Sequence, residues 1–149
     1  MSKAEIVVER VDHIGIRVRD LERALAFYRI LGFELRHKVE FDAVAIISNN
    51  AGVEINLIYN ANAGDPQRNI LMDVPEKYAG YTHVALRVAS IPGTISALKA
   101  HGIAITQGPV TFGDGHVSVF VRDPDRNVIE LRGRGVEEGR IAGVKPYVP

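Results

Sequence analysis

Between Asp12 and Val18 apolar and polar residues alternate: Ile14, Ile16 and Val18 fall on one side, His13, Gly15 and Arg17 on the other. That period predicts a half-buried strand. The pattern returns in "THVALRV", with Val84, Leu86 and Val88 set against His83, Ala85 and Arg87. His13 and His83, Arg17 and Arg87, and Val18 and Val88 all lie 70 residues apart, so the chain reads as a duplicated module. After each strand the period lengthens to that of a helix, through Leu21, Ala24, Leu25 and Tyr28 in one copy and Ile91, Ile95 and Leu98 in the other. Asp20 and Ser90 stand where an N-cap oxygen is wanted, and Pro92 falls in the first turn, where a missing N–H costs nothing. Gly32 and Gly102, again 70 apart, suit the left-handed residue that closes a helix.

Short apolar strands follow, "FEL" and "IAI". Further strands are predicted at "KVEFDAVAIIS" and "GVEINLIYN" in the first copy, and at "VSVFVRD" and "NVIELRG" in the second. "RDPDRN" predicts a tight reversal between the last two. The expected fold is therefore α+β: two βαβββ modules making a concave mixed sheet, each half backed by a helix. One domain is expected, with module one over residues 8–61, a connecting loop over 62–80, module two over 81–132 and a C-terminal tail over 133–149.

Charge and composition narrow the function. Net charge is zero and Lys and Arg form no run, which argues against nucleic acid or an anionic membrane as main partner. Without cysteine the chain has no disulfide, thiolate nucleophile or Cys-based zinc site. "MSKAEIVVERVD" lacks a signal-peptide core, and no segment nears the roughly 20 apolar residues that span a bilayer. A soluble cytoplasmic protein is expected.

A single strand histidine is ordinarily a core or edge residue. Two related by pseudo-symmetry, on what should be facing concave surfaces, point instead to metal ligation. Glu130 offers a third ligand: a carboxylate between Ile129 and Leu131 is costly unless paired or metal-bound. Two imidazoles and one carboxylate leave coordination positions open for water and substrate, as a catalytic site requires. The plainer alternative is an edge carboxylate facing solvent. Matching "NVIEL" to "VEINL" sets Asn56 opposite Glu130, as a neutral oxygen ligand, a partner for metal-bound water, or lining. Glu54, two residues earlier on the same face, reaches the metal if the register slips, or is a rim charge.

"DHIGIRV", "FYRILGFEL", "GYTHVALRV" and "VRDPDRNVIEL" together resemble the vicinal oxygen chelate superfamily, over roughly Val11 to Arg132. That superfamily includes glyoxalase I, extradiol dioxygenases and bleomycin-resistance proteins. The resemblance implies paired βαβββ modules around one divalent ion (nickel, zinc, cobalt, manganese or iron), often built across a homodimer interface. "INLIYNANAG" followed by "YTHVALRV" is most similar to glyoxalase I, a lyase that isomerises the glutathione hemithioacetal of methylglyoxal. By that resemblance the substrate is a small oxygenated molecule, and Arg17 and Asn60 hold a glutathione moiety. Arg17 lies about 13 Å along the strand from His13, a reasonable span for a carboxylate clamp; strand-end surface charge is the alternative for Arg17 and Arg87. One departure stands out. Asn56 replaces a glutamate of glyoxalase I, so Glu130 alone would abstract the proton next to the carbonyl.

Two rival functions follow from the same residues. His, His and Glu also form the facial triad of non-haem iron dioxygenases, with His116 as second-sphere acid or base or a plain loop histidine. A metal-free binding or resistance protein is the other; its signature would be loss of the ligands, all of which are present. His37 and His101 read as surface residues, and Tyr59, Tyr78 and Tyr81 as candidates for a pocket wall.

Overall fold

A computed structural model of the chain describes residues 5–65 and 68–149. Residues 1–4 of the N-terminal segment, and Pro66 and Gln67 of the connecting loop, lie outside the described residues. The chain divides into two units, Met1–Asn62 and Ala63–Pro149.

The first unit runs β1 (Ile14–Arg17), α1 (Leu21–Ile30), β2 (Glu34–Val39), β3 (Val44–Ser48) and β4 (Glu54–Ile58). Its sheet has the order β1-β4-β3-β2, with β1 parallel to β4 and the other pairs antiparallel. The Asp20 carboxylate accepts from Arg23 N–H at 2.8 Å and so caps α1. Gly32, at φ 92°, takes the left-handed turn after the helix. Ala24, Leu25, Phe27 and Tyr28 are the buried face of α1, and the Tyr28 ring meets Phe27 and Phe33 edge-on. Ala45, Ile47, Ile55 and Leu57, on alternate positions of β3 and β4, are completely buried. The outer strand β2 is exposed from Glu34 through Lys38.

The second unit repeats the order: β5 (His83–Arg87), α2 (Ile91–Ala100), β6 (Gln107–Thr111), β7 (His116–Arg122) and β8 (Val128–Arg134). Ser90 caps α2 by accepting from Gly93 N–H at 3.1 Å, and Gly102 closes it at φ 69°. Helices α1 and α2 thus begin and end 70 residues apart, with the caps that "RVRD" and "RVAS" predict. α2 packs on β7 and β8, with Ile91 buried against Val117 and Ile141. Gly133 permits that packing, since a Cβ there would sit 2.6 Å from Ile91 Cγ1.

Three details differ from the sequence reading. The segment "KVEFD" does not continue one strand: β2 absorbs Lys38 and Val39, a 3-10 turn takes Glu40–Asp42, and Ala43 turns left-handed at φ 53°. "IAI" is not a strand; Ile103 N–H instead bonds Leu98 O at the helix end, and β6 begins only at Gln107. The final residues are more than a tail. Gly135–Arg140 forms a 3-10 helix, Ile141 is buried, and β9 (Lys145–Pro146) pairs parallel with β6. The second sheet is therefore five-stranded, in the order β5-β8-β7-β6-β9.

Candidate functional site

In the second sheet, register assigns each face. His83 pairs with Val128, Val128 with Arg122, Phe120 with Glu130 and Ser118 with Arg132. All of these share one face, while Val117, Val119, Val121, Ile129 and Leu131 form the buried opposite side. The polar face carries a cavity of about 530 Å³, lined in part by His83, Phe120, Arg122, Val128, Glu130 and Arg132.

Two of the predicted ligands meet in this cavity. His83 Nε2 lies 3.0 Å from Glu130 Oε1, and each side chain is held at its other end by a hydroxyl. Thr82 Oγ1 is 2.9 Å from His83 Nδ1, and Ser118 Oγ donates to Glu130 Oε2 at 2.7 Å. Glu130 is 6% exposed and Ser118 fully buried, so these bonds fix the carboxylate in one rotamer. Two ligand atoms each about 2.1 Å from one ion, at right angles, stand about 3.0 Å apart. The pair therefore fits a cation in place of the shared proton, and the outer hydroxyls supply the orienting contacts that metal ligands use. Arg132 ion-pairs with Asp114, and its Nη1 lies 3.7 Å from Glu130 Oε2.

In the first unit the matching place is occupied differently. His13 Nδ1 lies 2.7 Å from Asp12 Oδ1 and 3.9 Å from Glu54 Oε2. Asp12, His13 and Glu54 offer ligand atoms within 4.8 Å of one another. The His13 hydrogen bond holds the Asp12 carboxyl below its ordinary value. Gly15 pairs with Asn56 as Ala85 pairs with Glu130, which sets Asn56 at the equivalent position. Its Oδ1 is buried and meets no donor among the described residues, a buried acceptor left without a hydrogen bond. Arg17 Nε donates to Asn60 Oδ1 at 3.0 Å, bringing together the two residues that the resemblance assigns to one substrate moiety.

Four further candidates, His116, Tyr59, Tyr78 and Tyr81, are not among the residues that line this cavity. His116 starts β7 with its Nδ1 3.7 Å from Asp114 and does not line the cavity. Tyr78 and Tyr81 are 62% and 97% exposed, and the Tyr59 ring lies under Lys38 in the first unit. The tyrosine on the cavity wall is Tyr147, from the segment read as a tail.

The sequence reading also missed a network that shapes the cavity. Asp73 accepts from Arg126 Nε at 2.8 Å and Nη2 at 3.1 Å, from Arg122 Nη1 at 3.2 Å and from Asn69 N–H at 2.7 Å. The reversal "DPDRN" is itself built on Asp123 Oδ1, which accepts from the N–H groups of Asp125 and Asn127. The connecting segment is thereby tied to the β7–β8 turn, with Met72 on the cavity wall. Chiefly through the Arg126 hydrogen bonds, and against the cost of burial, the Asp73 carboxyl is held well below the usual carboxylate range. A carboxylate depressed in the folded state contributes stability above its unfolded value, near 4, and loses it as pH falls further. Asp73→Asn should therefore cost about 1–2 kcal/mol at pH 7, given partial solvent screening, and roughly half of that at pH 2.5, where the folded protein still holds the carboxyl ionised. Denaturant midpoints of both proteins at the two pH values check this; an equal cost at both would remove the ion pairs as its cause.

Comparison with known proteins adds the family context. Residues 10–131 match the family model described as Glyoxalase/Bleomycin resistance protein/Dioxygenase superfamily. The chain is similar to a probable lactoylglutathione lyase of Vibrio cholerae, 33% identical over 132 residues that cover 82% of this chain and 88% of the relative. It is also similar to the lactoylglutathione lyase of Haemophilus influenzae, 32% identical over 129 residues, covering 80% and 88%. In fold it is similar to a glyoxalase/dioxygenase from Nostoc punctiforme, with a TM-score of 0.68 at 23% identity over 89% of this chain and 99% of the other.

Proposed function

Because this chain belongs to the glyoxalase/bleomycin resistance protein/dioxygenase superfamily, we propose that it is a metal-dependent lyase or isomerase of the glyoxalase I kind. Its substrate is then a small molecule with neighbouring oxygens, and the hemithioacetal of methylglyoxal and glutathione is the first to try. The observation that carries this reading is the His83–Glu130 pair at 3.0 Å, with both outer atoms held by hydroxyls inside a cavity. Relatives named lactoylglutathione lyase support the same reaction class.

The proposed ligands are His13, His83 and Glu130, with Asn56 or Glu54 as a fourth ligand or as partner to a bound water. A divalent ion held there would polarise the substrate's oxygens and stabilise the charge that develops when the neighbouring C–H loses its proton. Glu130 removes that proton and returns it to the adjacent carbon. Ser118 keeps the carboxylate aimed while it does so, and Thr82 does the same for the His83 ring. Asn56 cannot accept a proton at neutral pH, which leaves Glu130 as the base. Arg17 and Asn60 would bind the carboxylate and amide groups of a glutathione-like moiety. A homodimer is proposed on the resemblance alone.

The test is metal analysis after anaerobic reconstitution, followed by assay. About one nickel, zinc or cobalt per site, with turnover of the hemithioacetal, supports the proposal. Iron or manganese with turnover of catechols would replace the lyase reading by dioxygenase chemistry. Protein that takes up no metal would overturn both in favour of a binding module.

A further inference from the structure

Two aromatic rings on the cavity wall have no part in the chemistry proposed for His83 and Glu130. β6 and β9 pair in parallel, Val110 with Lys145 and Thr111 with Pro146. Tyr147 N–H then bonds Thr111 O at 2.9 Å, which brings Tyr147 alongside Phe112. Their ring centroids are 4.9 Å apart with the planes inclined at 33°. The Arg132 guanidinium lies 5.8 Å from the centre of the Phe112 ring, and the same arginine is held by Asp114 and lies near Glu130. The ring pair is thus fixed from two sides, yet Phe112 and Tyr147 remain 44% and 40% exposed. Both line the cavity that holds His83 and Glu130.

Aromatic rings gain from stacking on another π-system beyond the area they bury, and tilted or offset contacts are the favoured ones. A rigid pair of half-open rings beside a polar, oxygen-binding pair makes a two-part recognition surface. We propose that Phe112 and Tyr147 form an aromatic wall that selects substrates carrying a planar unsaturated group next to their vicinal oxygens. On the metalloenzyme reading above, on which this rests, the preferred substrates are aryl α-oxo compounds rather than methyl ones. Tyr147 is the specificity-determining residue, delivered to the cavity by the C-terminal strand.

Benzoylformate and pyruvate are suitable probes: both are α-oxo acids, and they differ in phenyl against methyl. Their affinities would be measured by calorimetry on metal-loaded and on chelator-stripped protein. Benzoylformate is expected to bind about 2- to 10-fold more tightly than pyruvate in both forms, the worth of one ring contact. Tyr147→Leu keeps apolar bulk and the backbone bond to Thr111, and should bring the ratio close to unity; Phe112→Leu should lower it in the same direction. No preference for the phenyl probe, its failure to bind either form, or a preference that survives both substitutions would overturn the wall. A preference seen in protein that cannot be loaded with metal would leave the wall standing and defeat the enzymatic reading instead.

Discussion

Glu130→Gln is expected to lower kcat for the hemithioacetal by about 10²–10⁴-fold, the usual contribution of a positioned general base. The effect should be large because the equivalent position in the first unit, Asn56, is an amide and offers no base in its place. The substitution is close to isosteric, and the new amide can still accept the Ser118 hydroxyl that now bonds Oε2 at 2.7 Å. Folding should therefore be little disturbed, and thermal unfolding of the variant controls for it. A folded variant that keeps more than a tenth of wild-type kcat would remove Glu130 from the role of base. A rise in KM with kcat unchanged would make it a binding residue only.

Metal uptake should fail outright in the alanine variants of the proposed ligands. His83→Ala leaves Glu130 with its Ser118 bond and no imidazole; His13→Ala leaves Asp12 and Glu54 without theirs. Neither histidine is in the buried core, so neither replacement opens a cavity in packed apolar structure. Each variant, and Glu130→Ala with them, is expected to bind less than a tenth of an equivalent of metal after dialysis, measured by elemental analysis, with circular dichroism unchanged. Retention of a full equivalent by all three would sink the ligand assignment. Loss in His83→Ala and Glu130→Ala alone would confine the metal to the second unit, and would free Asp12, His13 and Glu54 from any part in it.

The repeated module was legible because its signals are local and doubled. Asp20 and Ser90 cap, Gly32 and Gly102 close, and the alternation around each strand histidine sorts one face from the other. Glu130 was readable for a related reason, as a charge inside an apolar run. Ser118 sits in the apolar run of β7 in the same way, and its bond to Glu130 follows from antiparallel register; a hydroxyl inside a buried strand is the signal that marks it. The shift of β6 from Ile103 to Gln107 was not legible, because "IAI" has strand propensity that the bond closing α2 at Ile103 overrides. Nor was β9, since two residues ending in proline carry no periodicity. The Asp73 network depends on residues about 50 positions apart that look in sequence like ordinary loop charges.

The outer strands of the two sheets have a consequence for how copies of this chain behave toward one another. An unpaired strand edge is a template for aggregation. In the first unit β2 leaves its edge open among the described residues, but Glu34, Arg36 and Lys38 along it are exposed, and charge discourages a second chain from zipping on. In the second unit β6 is covered by β9, and Pro146 has no N–H to offer a further strand. One edge is guarded electrostatically and weakens with salt; the other is closed sterically and does not. Cutting the chain short before Lys145 would leave β6 bare and give that side of the sheet an adhesive edge.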